Sequence, residues 1–193
     1  MSSTKNNYLE TNANAYYKTP QQPIVDFLKE FILTGSLMRD GISILDCCAG
    51  GSNEDEMSYP PALRAVYVTD GDTIDTIDIR EDSKASIIGD YLNIDCKNKY
   101  DLIITNPPFN IALDIIQKAL DDVKDGGYVV MLLRLNFFGS KGRFRFWQEN
   151  MAKYCFVHSK RISFTKGATD SIEYTHMVWQ KGHKPEFCKL KVI

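Results

Sequence analysis

The residues most able to do chemistry are Asn106-Pro107-Pro108-Phe109, which directly follow the apolar run Tyr100 to Thr105. Two prolines fix φ and offer no N–H, so the backbone carbonyls of this turn face outward instead of being paired. The Asn106 side-chain oxygen and the Pro107 carbonyl can each accept one hydrogen of an exocyclic amine. Such an amine, conjugated to a ring, is a poor nucleophile because its lone pair is delocalised. Two acceptors favour its tetrahedral form and free the lone pair to attack a sulfonium methyl. Phe109 supplies a ring to stack on the target base. The plainer reading is a proline-rich start to a helix, with Pro at the first helical position. The acidic turns upstream weigh against it.

Three such turns precede it. Asp46-Cys47-Cys48-Ala49-Gly50-Gly51 is built of small residues, which let the backbone approach a ligand and adopt positive φ. No third glycine follows, since Asn53 stands in its place, so the dinucleotide-binding pattern is absent. Asp78, followed by Ile79 in the run TIDIR, can accept hydrogen bonds from both hydroxyls of a ribose. It can equally be a solvated acid beside Arg80. Gly89-Asp90-Tyr91-Leu92 puts an acid beside an aromatic, which suits an adenine amine and ring, although Gly-Asp is also a common turn.

The elements needed to position these turns are legible. Apolar residues from Ile24 to Leu33 follow helical spacing, and Gly35 is a plausible stop. Gly41 to Cys47, Thr73 to Ile79, Tyr100 to Thr105, Tyr128 to Leu135 and Tyr174 to Gln180 read as strands. Asn110 to Val123 predicts an amphipathic helix closed by Gly126-Gly127, and Phe144 to Met151 a short one. Ser52 to Ala62, with three acids and Pro60-Pro61, reads as irregular. Strand and helix in alternation imply an α/β fold with a mainly parallel, doubly wound sheet, and ligands then bind at the carboxyl ends of its strands.

Composition sets the bounds. A chain of 193 residues fits one domain over its whole length, and 44% hydrophobic with 25% charged residues is ordinary for a globular protein. No apolar run reaches membrane-spanning length and the first residues do not form a secretory signal, so a cytoplasmic protein is expected. The five cysteines form no CxxC pair and the three histidines no ligand-spaced pair, so neither a metal site nor a disulfide framework is expected. The net charge of -2 hides a strong asymmetry. From Arg134 to Lys166 there are eight basic residues and one acid, a local charge of +7 that leaves -9 elsewhere. Phe138, Phe144, Phe146 and Trp147 are interleaved with it, as a phosphate-contacting, base-stacking surface requires, or as a solvated basic face would allow.

Taken together, the DCCAGG, TIDIR, GDYL and NPPF turns resemble, in order, those of the amino-methylating class of S-adenosylmethionine (SAM)-dependent methyltransferases. Tyr16-Tyr17-Lys18-Thr19-Pro20 resembles the segment with which DNA adenine-N6 methyltransferases close over the methionine end of SAM. Arg161 to Phe164 and His176 to Gly182 resemble that group's closing motifs. DCCAGG followed by MSYP and TIDIREDS is similar to phage-associated adenine methylases, and the motif order to the gamma arrangement. The likeness runs from about Tyr16 to Gly182.

That resemblance implies a Rossmann-like sheet of seven strands with an antiparallel final hairpin, and SAM as cofactor. It places SAM against Tyr17, Lys18, Thr19, Pro20, Asp46, Cys47, Cys48, Ala49, Gly50, Gly51, Asp78, Ile79, Asp90 and Tyr91. Asn106, Pro107, Pro108 and Phe109 would be catalytic. Residues 1–22 would be an extended segment over the cofactor. Residues 139–170 would bind substrate, through Lys141, Arg143, Arg145 and Phe164. The chain departs from the family in the insertion from Ser52 to Pro61. It also lacks a long target-recognition domain, which suggests a short target, a homodimer or a specificity partner. DNA adenine is the expected substrate, by base flipping. The same turn also serves enzymes acting on RNA bases and on glutamine amides. Cytosine-N4 enzymes more often carry Ser in place of Asn106, and no Pro-Cys nucleophile for carbon-5 methylation occurs. A silent DNA-binding protein on the same scaffold is the non-enzymatic alternative.

Overall fold

The computed structural model describes residues 18–36, 40–164 and 171–193. Helix α1 (Gln21–Leu33) begins immediately after Pro20 and buries Ile24, Phe27, Leu28 and Phe31, the stripe that its spacing predicts. It stops at Gly35, whose φ of 74° is left-handed and whose N–H returns to the Ile32 carbonyl at 2.9 Å.

Strands β1 (Ser43–Asp46), β2 (Thr73–Asp78), β3 (Ile87–Ile88), β4 (Tyr100–Thr105), β5 (Val123–Arg134), β6 (Tyr154–Val157), β7 (Tyr174–Gln180) and β8 (Lys189–Val192) form one 8-stranded sheet. Their order is β3-β2-β1-β4-β5-β7-β6-β8. The five strands from β3 to β5 are mutually parallel, and β7 runs antiparallel to both β5 and β6. This is the expected Rossmann-like α/β architecture with an antiparallel carboxyl-terminal part. The strand count differs from seven because β8 pairs in parallel with β6 at the far edge. Its four residues are all exposed, so no buried face marks it in the sequence.

The stretch expected to be irregular, Ser52 to Ala62, runs into helix α2 (Tyr59–Val66). Pro60 and Pro61 occupy its first turn, where the helix needs no N–H donors, so here they start a helix. Helix α3 (Ala112–Asp122) is shorter than expected because the chain turns straight into β5 at Val123. Gly126 and Gly127 therefore lie within a strand. A Cβ at Gly127 would sit 2.8 Å from the Asp101 carbonyl oxygen, so only glycine lets the backbone pass there. Helix α4 (Phe144–Glu149) completes the set.

Two cores flank the sheet. Helices α1 and α2 cover one face with Phe27, Phe31, Tyr59 and Leu63. Helices α3 and α4 cover the other with Ile115, Ile116, Phe146 and Trp147. Asp46, Asp78 and Thr105 end β1, β2 and β4 at the carboxyl edge of the parallel strands.

Candidate active site

The first loop folds back onto the end of β2. Gly50 and Gly51 have φ of 66° and 76°, which a side chain would strain. A Cβ at Gly51 would also lie 2.7 Å from the Met57 side chain. The Gly50 N–H donates to Asp78 Oδ2 at 2.7 Å, the Ala49 N–H to the Ile77 carbonyl at 2.9 Å, and Ser83 Oγ to the Gly50 carbonyl. Arg80 closes the other side: its backbone N–H donates to Asp78 Oδ1 at 2.9 Å and its guanidinium to the Gly51 carbonyl. Asp78 is buried rather than solvated: Oδ1 accepts from both the backbone N–H and the Nε of Arg80, and Oδ2 accepts from Gly50 with a further lone pair left. Ile79, next along the chain, is 59% exposed, and Ile88, Asp78's partner in β3, is exposed beside it.

Asp46 ends β1 fully buried. Its Oδ1 accepts from Thr105 Oγ1 at 2.6 Å and from the Cys48 N–H at 3.4 Å, while Oδ2 is buried without a partner. Burial pushes its carboxyl up to about 7 against those hydrogen bonds, and the nearby charge of Asp78 adds to the rise. A buried acceptor left open beside a glycine cradle fits a hydrogen-bond donor of a bound ligand. Cys47 points into the core, and burial raises its thiol well above the ordinary value.

Asp90 caps a 3-10 turn over Tyr91–Asn93, accepting from the Leu92 N–H at 3.0 Å and the Asn93 amide at 2.9 Å. The Tyr91 side chain is committed elsewhere. Its hydroxyl donates to Asp122 Oδ2 at 2.8 Å, Lys118 sits over its ring, and burial raises its pKa. Only its backbone remains for a ligand.

At the end of β4, the Asn106 side-chain Nδ2 donates to Thr19 Oγ1 at 3.0 Å, and Oδ1 is buried with no partner. Thr19 is 1% exposed, and its N–H donates to Ser58 Oγ at 2.9 Å. Gln21 Nε2 reaches the Ser58 carbonyl at 2.8 Å, and Lys18 pairs with Asp55 at 3.4 Å. The stretch from Ser52 to Pro61 is therefore what holds residues 18–21 beside the Asn106 turn. Tyr16 and Tyr17 lie outside the described residues. Pro107 is buried and Pro108 exposed.

Phe109 packs against Tyr174 with ring centroids 5.9 Å apart, and the Arg134 guanidinium lies 4.8 Å from its ring. Phe164 meets the same Tyr174 edge-on at 5.0 Å, so the expected substrate residue Phe164 shares a cluster with Phe109. Arg134 and Tyr174 were not singled out for this site in the sequence. Both sit at strand ends, and their pairing across β5 and β7 brings them there.

The basic segment divides. Lys141 is exposed, and Arg145 is 90% exposed while paired with Glu149 at 2.9 Å. Arg143 is tied down, donating to the Phe137 carbonyl at 2.7 Å with its guanidinium over the Phe137 ring. The aromatic part of the expectation is corrected. Phe146 and Trp147 are buried core residues, and Phe138 stacks on Trp147 at 4.7 Å. Phe144 alone of the four is exposed. Lys166 lies outside the described residues.

Searched against protein-family models and curated proteins, the sequence matches none. Solved structures do match its fold. A protein assigned to the class I SAM-dependent methyltransferases of Listeria monocytogenes superposes with a TM-score of 0.65 at 15% identity, over 91% of this chain and 65% of that one. A protein assigned as an RNA methyltransferase of Pyrococcus horikoshii gives 0.61 at 16%, over 88% and 91%. The M protein of the type I restriction enzyme EcoKI gives 0.61 at 15%, over 87% of this chain and 44% of that. The chain thus spans just under two thirds of the first of these proteins and less than half of the last. At these identities the likeness is one of architecture, and the chain has the Rossmann-like fold of the SAM-dependent methyltransferases.

Proposed function

We propose that the chain transfers a methyl group from SAM to the N6 amine of adenine in DNA. The observation that carries this reading is Asn106: its amide nitrogen is anchored on Thr19, and its buried oxygen is left with an open acceptor position. With the Pro107 carbonyl beside it, the turn offers two acceptors for the two hydrogens of an amine. Both hydrogen bonds strengthen as the nitrogen becomes tetrahedral, so they favour the transition state over the planar ground state. Phe109, backed by Tyr174 and Arg134, presents a ring for the flipped base, and Phe164 lines the same cluster.

When bound, SAM supplies a sulfonium methyl as the electrophile. The residues present fit it. Gly50 and Gly51 give the close backbone approach, Asp46 Oδ2 awaits a donor, Asp78 Oδ2 keeps a lone pair for a ribose hydroxyl, and Ile79 offers an apolar surface for the adenine. Cys48, Ala49 and Asp90 border it, and Tyr17, Lys18 and Pro20 would cover its tail. Lys141 and Arg145 would meet the phosphates. The M protein of a restriction enzyme among the structural neighbours supports DNA, and the Pyrococcus neighbour makes RNA the second substrate to test.

Tritiated SAM incubated with duplex DNA, single-stranded DNA, RNA and protein, followed by nucleoside and amino-acid analysis, tests the proposal. Label in N6-methyldeoxyadenosine is the expected result. Label confined to RNA or to glutamine overturns the substrate, and no incorporation into any of them overturns the activity.

A further inference from the structure

We infer that Thr19 is a positioning residue for the target amine's acceptor: its hydroxyl holds the Asn106 amide in the orientation whose oxygen is left without a partner. This rests on the reading of Asn106 given above. Thr19 stands in a segment whose resemblance assigns it to the cofactor, yet its side chain contacts the catalytic amide from 87 positions away.

An asparagine amide has a donor end and an acceptor end, and rotating it by 180° exchanges them at little steric cost. Facing an amine, the two orientations are not equivalent. With Oδ1 outward the amine's N–H is accepted; with Nδ2 outward two donors meet, and the lone pair is not freed. In the structure Thr19 Oγ1 accepts one of the two Nδ2 hydrogens, the orientation that leaves Oδ1 buried without a partner. The hydroxyl is itself held. Thr19 is buried, its N–H is fixed on Ser58 Oγ, and the Ser58 carbonyl is fixed by Gln21. An acceptor placed on a rigid neighbour orients its partner far better than one free to swing. Docking of residues 18–21 against the loop ending at Ser58 is then what sets the catalytic turn.

Thr19→Val keeps the shape and removes the acceptor, Thr19→Ser keeps the hydroxyl, and Thr19→Cys keeps the size with only a weak acceptor. Three readouts are taken on the full chain: single-turnover methyl transfer, SAM affinity by calorimetry, and protection of the Asn106 side-chain amide hydrogens by NMR. Thr19→Val should slow transfer about tenfold, the worth of one hydrogen bond, with unchanged SAM affinity and unprotected amide hydrogens. Thr19→Ser should restore both rate and protection, and Thr19→Cys should fall between. The inference is overturned if Thr19→Val transfers like the wild type. It is equally overturned if SAM affinity falls in step with rate, which makes Thr19 a cofactor contact, or if Thr19→Ser is no better than Thr19→Val. Should Thr19→Val not fold, the order of Ser and Cys against wild type decides the matter alone. A wild type that labels no DNA, while Asn106 protection still depends on residue 19, removes the DNA reading and leaves the anchoring of the amide standing.

Discussion

The Gly50 N–H points at Asp78 Oδ2 from 2.7 Å, which makes the glycine loop after β1 and the acid ending β2 a single unit. The loop needs this acceptor because Gly50 is buried, and an unpaired N–H there would cost about 1–3 kcal/mol. Asp78 thus has a structural duty beside the one proposed toward the ribose, and its removal should be felt twice.

Asp78→Ala is expected to weaken SAM binding by about 1.5–3 kcal/mol, the scale of hydrogen bonds to a charged group. It should also lower thermal stability, because Gly50 and Arg80 lose their shared partner. Asp78→Asn keeps an acceptor and should recover most of the stability. Calorimetry with SAM beside a thermal melt checks both parts, and unchanged affinity in Asp78→Ala contradicts the assignment.

Asn106→Ala should abolish methyl transfer and retain SAM affinity, because Asn106 is asked to act on the target amine. Phe109→Ala should chiefly weaken target binding, by about 1–3 kcal/mol for a lost base stack. It should also cost some stability, since Phe109 packs on Tyr174 and under Arg134. The discriminating measurement is transfer at saturating DNA: Phe109→Ala recovers there, Asn106→Ala does not.

Where the sequence was legible, one physical signal dominated. The runs at 43–46, 100–105 and 128–134 are apolar because helices cover both faces of the sheet. Helix α2 was hidden because Pro60-Pro61 reads as a breaker unless the helix start is known. Strand β8 carries no buried face, and β3 is only two residues long. Helix α4 spans six residues, too short for a period to separate Phe146 and Trp147, which are buried, from the exposed Phe144 and Arg145. At the site, the acids and the Asn106 turn were readable from position at strand ends. The contacts Thr19–Asn106 and Phe109–Tyr174 were not, because they join segments that only the folded sheet brings together.

Acid should destabilise the fold through a buried chain of Tyr59, His176 and His158. Tyr59 Oη lies 3.0 Å from His176 Nε2, and His176 Nδ1 lies 2.8 Å from His158 Nε2. Burial lowers the His158 pKa to about 4 against the raising effect of Asp26, and burial with the nearby His158 lowers that of His176. Both rings are therefore neutral in the fold and protonate more readily when unfolded. Their contribution is complete above about 6.5 and is lost as pH falls toward 4. Asp46, raised to about 7, works in the opposite direction over the same range. Comparing wild type with His158→Gln removes the Asp46 share. Between pH 7 and 5 the wild type should lose about 2 kcal/mol more than the variant. Urea midpoints at the two pH values test it, and parallel curves would exclude the histidine pair.

The DNA claim is tested by salt. If the exposed cations Lys141 and Arg145 track a phosphate backbone, log affinity must fall linearly with log salt through counterion release. The useful variants are Lys141→Ala and Arg145→Ala together. Arg143 is a poor choice, since its guanidinium is bonded to the Phe137 carbonyl and lies over that ring, so its removal disturbs packing. Arg145 is bound only by an exposed pair with Glu149, which is worth little and which a phosphate can displace. Losing both cations should flatten the slope by about one unit per phosphate contact, for every sequence alike. SAM affinity should not change, because neither residue touches the loops at the ends of β1 and β2. A nucleoside or peptide substrate would show little salt dependence and no effect of the double variant. Filter binding across a salt series distinguishes the cases: a flat plot, or an unchanged slope in the variant, would remove DNA from the reading while leaving methyl transfer to be assigned another acceptor.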